Sequence, residues 1–248
     1  MSLGLPDTVH ACLFDMDGVL TKTQKVHARA WKQAFDEYLK KRSDETGRPL
    51  KPFDEVHDYD EYVDGKPRED GVRSFLAARG IELPEGGPDD PPDAETVHGI
   101  GEHKNELLLE LIHTQGVEVY PDTMRYLDAV EREGLQRAVV SSSTNTHDVL
   151  KAAGLLDRFE VIVDGYAVQR EGLKGKPAPD TYLHAAHELG VAPAGAGVFE
   201  DAVAGVEAGH AGHFGIVVGV DRADQADALR THGADVVVEQ LTELLDKG

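Results

Sequence analysis

The chain carries one cysteine, Cys12, so no disulfide can form within it, and this sparing use of thiols suits a reducing, cytoplasmic setting. No apolar run approaches the ~18 residues that a membrane span needs, so no membrane partner is expected. The opening MSLGLPDTVH lacks a cationic stretch leading into an apolar one, and a secretory signal is not expected. Positive charge is scarce: 25 Lys and Arg face 46 Asp and Glu, a net charge of −21 over 248 residues. A surface of that sign repels a phosphate backbone, which sets nucleic acid aside as an expected partner. A small anionic substrate remains compatible where a metal ion or a few placed cations reverse the potential locally. Internal repeats and low-complexity tails are also missing. With 40% hydrophobic and 29% charged residues, the composition is that of a folded globular protein. The length suits one or two domains.

What is present divides the chain in two. Apolar runs rich in Val and Ile recur at 137–140, 159–163, 197–199, 214–218 and 235–238, with one more at 9–14. Helical patterns fall between them, at 123–133, 145–153, 180–189, 202–208 and 223–231. This alternation predicts an α/β fold around a parallel sheet. From about Lys25 to Thr114 the pattern is helical instead. Val26, Ala30, Trp31, Phe35, Tyr38 and Leu39 share one face at helical spacing, and further helices are predicted at 68–78 and 96–114. The expected organisation is a core domain of 1–23 with 116–248 and an inserted helical domain of 24–115. In open α/β sheets ligands bind outside the carboxyl ends of the strands. An insertion leaving the end of the first strand is therefore expected to cap the site.

Four segments at predicted strand ends carry chemistry. Asp15 and Asp17 leave the first strand two residues apart, where their repulsion invites a divalent cation or a shared proton. One could act as nucleophile while the other handles protons; an Asp-rich solvated turn is the plain alternative. Glu200 and Asp201 end another strand and could complete an oxygen-rich site suited to Mg²⁺, or Asp201 could simply cap a helix. Ser141, Ser142, Ser143 and Thr144 precede a helix, where hydroxyls and free N–H groups can hold a phosphate or serve as an N-cap. Lys176 lies in the turn KGKPAPD, where a fixed cation could screen a carboxylate from a phosphoryl group. His184 with His187 and His210 with His213 lack a third ligand at suitable spacing for zinc.

Taken in order, FDMDGVL, VVSSST, the lysine of KGKPAPD and GVFEDAVAGVEAG resemble the four motifs of the haloacid dehalogenase superfamily of phosphotransferases, across essentially the whole chain. The resemblance implies a Rossmann-like core with a helical cap. It makes Asp15 the nucleophile, Asp17 the general acid/base, Ser141 the phosphate-binding hydroxyl and Lys176 the charge-balancing cation. Mg²⁺ is implied between Asp15, the Asp17 backbone carbonyl, Glu200 and Asp201. The cap narrows the likeness to the β-phosphoglucomutase-like subgroup. TKT from Thr21 and VHARAWK from Val26 resemble its hinge and first cap helix, with His27 and Trp31 as substrate-side residues. Gly65 to Asp70 resembles the segment whose arginine, here Arg68, holds the non-transferring phosphate. GEHKN supplies Lys104 and Asn105 as contacts, and Ser143 and Asn145 flank the phosphate motif. Thr144 stands where the best-known pattern has a lysine, and the polar stretches from Ser43 and Pro84 lengthen the cap.

The implied activity interconverts β-glucose 1-phosphate and glucose 6-phosphate through an aspartyl phosphate and a bisphosphate. The alternatives are hydrolysis of a sugar phosphate, such as trehalose 6-phosphate or another hexose phosphate, or a regulatory module of a longer disaccharide-processing protein. A small sugar phosphate is the expected partner, and a monomer the expected state.

Overall fold

Short runs rich in Val, Ile and Ala become the strands of a wholly parallel sheet: β1 (Ala11–Phe14), β2 (Gln136–Val140), β3 (Val161–Val163), β4 (Ala196–Glu200), β5 (Ile216–Val220) and β6 (Val236–Val238). Every residue of β1, β4 and β5 is buried, as expected of strands covered on both faces. The computed structural model describes residues 3–63 and 66–247; Gly65, at the head of the Arg68 segment, lies outside them. Among the described residues the strand order is β3-β2-β1-β4-β5-β6. Chain order therefore reverses between β1 and β4, the switch point where such sheets open a crevice. Register carries Phe14 of β1 against Val139 on one side and Phe199 on the other. Asp15, Ser141 and Glu200 thus emerge from adjacent strands at the same edge.

The helices are α1 (Gln24–Thr46), α2 (Arg68–Ala78), α3 (Val97–Gln115), α4 (Pro121–Arg132), α5 (Thr146–Ala152), α6 (Gly165–Glu171), α7 (Asp180–Glu188), α8 (Val203–Ala211) and α9 (Ala226–Thr231). No described helix is long and apolar enough to cross a membrane. The chain divides into two compact units: Met1–Thr23 with Val117–Gly248, which holds the sheet and α4–α9, and Gln24–Gly116, which holds α1–α3.

In the sheet unit, α4 shows how sequence makes a packed helix. Pro121 starts it with a preset φ, and Thr123, Tyr126, Leu127 and Val130 recur at helical spacing on its buried face. Tyr126 meets Phe14 edge to face at 6.5 Å, and Phe14 stacks on Phe199 at 4.6 Å, filling the sheet beneath Asp15. In the helical unit, Phe35 stacks on Phe75 at 3.9 Å and on Phe53 at 5.4 Å. The segments that leave β1 and return to α4 run side by side. Lys22 N–H donates to the Glu118 carbonyl at 2.8 Å, and Thr21 and Val119 form an antiparallel bridge.

Several described elements differ from the sequence expectation, among them short 3-10 turns at Leu156–Arg158, Pro193–Gly195 and Leu241–Lys247. Helix α6 lies where no helix is predicted; the Asp164 side chain caps it by accepting from Ala167 N–H at 2.8 Å. A π-helical turn, Tyr59–Val63, occupies part of a stretch that reads as connecting chain.

Candidate active site

Each catalytic candidate of the sheet unit other than Lys176 sits within a few residues of a strand end, where the ladder fixes the backbone near the crevice. Asp15 is the first residue past β1, and its N–H donates to the Phe199 carbonyl at 2.9 Å, so the neighbouring strand anchors it. Lys176 arrives from the loop before α7. Its Nζ donates to Asp15 Oδ1 at 2.5 Å, to Glu200 Oε1 at 2.5 Å and to the Val140 carbonyl at 3.1 Å. One ammonium thereby ties together the ends of β1, β2 and β4. Glu200 is held further: Oε1 accepts from the Tyr182 hydroxyl at 3.1 Å, and Oε2 accepts from Ala202 N–H at 3.0 Å. Gly205 of α8 makes room for it, since a Cβ there would lie 1.7 Å from Glu200 Oε1.

Asp15, Glu200 and Asp201 each offer an oxygen within 4.8 Å of the others, a group of hard donors suited to a divalent cation. The turn after β1 closes against it. Gly18 has φ +84°, and a Cβ on it would come within 1.8 Å of Asp201 Oδ2, so this approach demands glycine. Asp17 points its carboxylate elsewhere: Oδ1 accepts a hydrogen bond from the Thr23 hydroxyl. Its side chain is outside the three-carboxylate group.

Electrostatics follow from this crowding. Burial, reinforced by Glu200 and Asp17 and opposed by Lys176, pushes the Asp15 carboxyl up to about 8. Burial and the charges of Glu200, Asp15 and Asp17 hold the Asp201 carboxyl well above the usual range. Burial alone would depress Lys176, yet Asp15 and Glu200 hold its ammonium well above the ordinary lysine range. Lys176 pairs with two of these carboxylates, Asp15 and Glu200, and the crowded oxygens of Asp15, Glu200 and Asp201 are hard donors that fit a divalent cation.

At the end of β2, residues 141–145 form a loop ordered by its own hydroxyls. Ser141 Oγ accepts from Ser143 N–H at 3.1 Å, and Ser143 Oγ accepts from Asn145 N–H at 3.1 Å. Accepting through oxygen leaves the buried Ser141 O–H available as a donor. Asn145 is the N-cap residue of α5.

The helical unit gathers its own set on facing helices. His27 of α1 and Lys104 of α3 are in contact, Nδ1 to Nζ 3.1 Å. Burial and the adjacent Lys104 ammonium hold the imidazole well below its usual range, so His27 is neutral at pH 7. Lys104 Nζ also stands 4.9 Å from the centre of the Trp31 ring. Trp31 itself lies in the core of this unit, 4% exposed and stacked on Phe35 at 5.0 Å. Arg68 opens α2, and its stem crosses α3 at Gly101. Its guanidinium pairs with Glu69 at 3.1 Å and Glu102 at 3.3 Å, and Asn105 Nδ2 lies 3.4 Å from Glu102 Oε1. Arg68 and Asn105 thus share Glu102.

Sequence reasoning misses what two side chains do in the site: the Tyr182 hydroxyl and that of Thr23, read only as part of the hinge. Tyr182 reads as one apolar position of α7, and the DTY order after KPAP gives no sign that its hydroxyl meets Glu200. Thr23 sits six residues beyond Asp17, a spacing that only the turn at Gly18 makes short.

The sequence matches the haloacid dehalogenase-like hydrolase family over residues 9–213. It is 57% identical to the β-phosphoglucomutase of Mycobacterium tuberculosis over 98% of this chain and 94% of that one. A second M. tuberculosis protein, an uncharacterized glycosyl hydrolase, is 36% identical over 93% of this chain, a match that takes up 17% of that longer protein. Among solved structures, a Thermotoga maritima protein assigned as a β-phosphoglucomutase superposes with a TM-score of 0.72 at 25% identity, covering 96% of this chain and 98% of that one.

Proposed function

The chain belongs to the haloacid dehalogenase-like hydrolases, in their β-phosphoglucomutase-like subgroup, and from that membership we propose that it interconverts β-glucose 1-phosphate and glucose 6-phosphate. The observation that carries the reading is the Asp15–Lys176–Glu200 contact at the switch point of the sheet, in a chain so close to a β-phosphoglucomutase along its full length.

In this reading phosphorylated Asp15 passes its phosphoryl group to the C6 hydroxyl of β-glucose 1-phosphate. The acyl–phosphate bond breaks, a new P–O bond forms, and the hydroxyl proton moves to the Asp17 carboxylate. The bisphosphate then presents its C1 phosphate to the freed Asp15. Attack at phosphorus breaks the bond to O1, protonated Asp17 returns its proton to that oxygen, and glucose 6-phosphate leaves. Lys176 orients the Asp15 carboxylate through Oδ1 throughout. Ser141 donates to a phosphoryl oxygen, with Ser143 and Asn145 beside it. In the helical unit Arg68 exchanges its carboxylate partners for the phosphate that is not being transferred, a guanidinium–phosphate pairing of the strong, bidentate kind. Lys104, in contact with His27, and Asn105 contact the sugar phosphate. Thr23 parks Asp17 until it is needed.

Asp15 and Asp201, with Glu200 beside them and the Asp17 backbone carbonyl, would hold Mg²⁺. Bound there, the ion would screen the nucleophile from the charge of the incoming phosphoryl group. The thiol of Cys12, buried in β1, suits a cytoplasmic location.

The test is a paired assay with Mg²⁺, β-glucose 1-phosphate and a trace of glucose 1,6-bisphosphate, following glucose 6-phosphate and inorganic phosphate together. Glucose 6-phosphate without matching phosphate is expected. Phosphate release without isomerisation would overturn the mutase reading and make the chain a sugar-phosphate phosphatase.

A further inference from the structure

The four motifs account for Asp15, Asp17, Ser141, Lys176, Glu200 and Asp201, but not for what fixes the two acidic loops once they leave the sheet. Both are gripped by one short segment, residues 221–225, between β5 and α9. Arg222 Nε donates to the Gly18 carbonyl at 3.1 Å, and Gln225 Nε2 donates to the Asp201 carbonyl at 2.8 Å. Gly18 follows Asp17 directly, so one side chain holds the turn of the proposed acid/base and the other holds the backbone of a proposed cation ligand.

The segment itself is rigid by construction. Asp221 N–H donates to the Val238 carbonyl of β6 at 2.8 Å. The Asp221 carboxylate accepts from Ala223, Gln225 and Ala226 N–H at 3.2, 2.9 and 3.1 Å. Arg222 is 13% exposed, and its planar fork meets acceptors from three separate parts of the chain. Besides Gly18, these are the Glu239 carbonyl at 2.7 Å and Asp122 Oδ2 at 3.0 Å, while the guanidinium lies 3.8 Å from the centre of the Tyr120 ring. Asp122 is buried and also accepts from Leu241 N–H at 2.8 Å. A guanidinium fixed by three acceptors and a ring has a single orientation. Its grip on Gly18 therefore ties the Asp17–Gly18 turn to the chain after β6 and to α4.

We propose that Arg222 and Gln225 are positioning residues of the phosphoryl-transfer site, Arg222 for the proton-transferring Asp17 and Gln225 for Asp201 in the cation site. The proposal rests on the reaction assigned above and adds to it a support outside the four motifs.

The experiment separates this role from plain scaffolding by the basicity of the leaving group. The sugar oxygen needs a proton to depart, whereas p-nitrophenolate does not. Arg222→Met is expected to lower isomerisation by on the order of 10²-fold, the scale of a small misplacement of reacting groups. The first-turnover burst of p-nitrophenolate from p-nitrophenyl phosphate, which ends at phosphorylated Asp15, is expected to fall only a few-fold. Arg222→Lys, which cannot span three acceptors, should recover part of the lost isomerisation. Gln225→Leu is expected to weaken Mg²⁺ binding, measured by calorimetry, roughly 10-fold. If Arg222→Met does not fold, Asp122→Asn loosens the same guanidinium and is read by the same ratio of rates. Equal losses on the two substrates, or unchanged Mg²⁺ binding in Gln225→Leu, overturn the proposal. Wild-type protein run alongside keeps the two readings apart: failure of wild type to isomerise β-glucose 1-phosphate removes the assigned reaction, and the proposal with it. An isomerising wild type with unaffected variants removes the proposal alone.

Discussion

Gly18→Ala perturbs the site by one methyl group, and its consequence can be worked from two distances. The added Cβ would lie 1.8 Å from Asp201 Oδ2 and 2.3 Å from its Cγ, whereas real Cβ atoms essentially never approach closer than 3.0 Å. Something must move by about 1.2 Å, and the choices are the Asp201 carboxylate or the Asp17–Gly18 turn. The turn also has φ +84°, where a side chain adds about 1–2 kcal/mol of strain. A domain of this size loses about 2–4 °C of Tm per kcal/mol, so a fall of only a few degrees is expected. Activity should respond far more, because a displacement near 1 Å among reacting groups costs about 10²-fold in rate. The assay is isomerisation at saturating Mg²⁺, with calorimetric Mg²⁺ titration and thermal melting of the same preparation. An alanine variant whose kcat and Mg²⁺ affinity both stay within about twofold of wild type would refute the claim that this close approach builds the site.

Asp15→Asn should lower turnover by on the order of 10³-fold or more, the scale of losing a nucleophile, while the fold persists. Because the folded carboxyl of Asp15 is raised to about 8, its contribution to metal-free stability is full below the unfolded value near 4 and is lost as pH rises toward 8. Metal-free melts across that window should therefore show a steeper decline in wild type than in Asp15→Asn, and Mg²⁺ should bind more tightly as pH rises and that proton leaves. His27 has the opposite sign: its folded pKa is depressed, so the stability it contributes is present above about 6.5 and lost as pH falls below it. Tm measured from pH 5 to 7.5 should fall less on the acid side in His27→Gln; an identical slope would count against a buried neutral imidazole. Arg68→Ala should cost roughly 10- to 100-fold in kcat/KM for the sugar phosphate, as expected for lost charge-assisted hydrogen bonds. Hydrolysis of a small generic phosphate ester should be spared, and equal losses would remove Arg68 from phosphate recognition.

What the sequence made legible depended on distance along the chain. Strand ends are visible as places where a Val-rich run meets polar residues, and Asp15, Ser141 and Glu200 all sit there. The parallel sheet then brings them together whatever the details. Lys176 belongs to a loop, and nothing in its spacing predicts a bond to the Val140 carbonyl 36 residues earlier; the family resemblance pointed to the lysine, and the loop's path accounts for the contact. The Thr23 bond to Asp17 and the Tyr182 bond to Glu200 depend on tertiary turns and on hydroxyl direction, which periodicity does not encode. Trp31 shows the opposite difficulty: its helical spacing is equally that of a pocket residue and of a core residue, and its stacking on Phe35 places it in the core. Helix α6 escaped because its seven residues give less than two full turns of pattern, although Asp164 was a usable start signal.

The side-by-side course of residues 20–22 and 118–120 has a consequence for how such a chain can change. A segment that departs and returns at hydrogen-bonded neighbours leaves the host sheet indifferent to what lies between, since both cut ends already meet. Excision of residues 24–116 would need no more than a short turn to rejoin Thr23 to Val117, and a different helical bundle could be spliced at the same two points. Exchange of the helical unit would thereby leave in place the strand ends from which Asp15, Ser141 and Glu200 emerge.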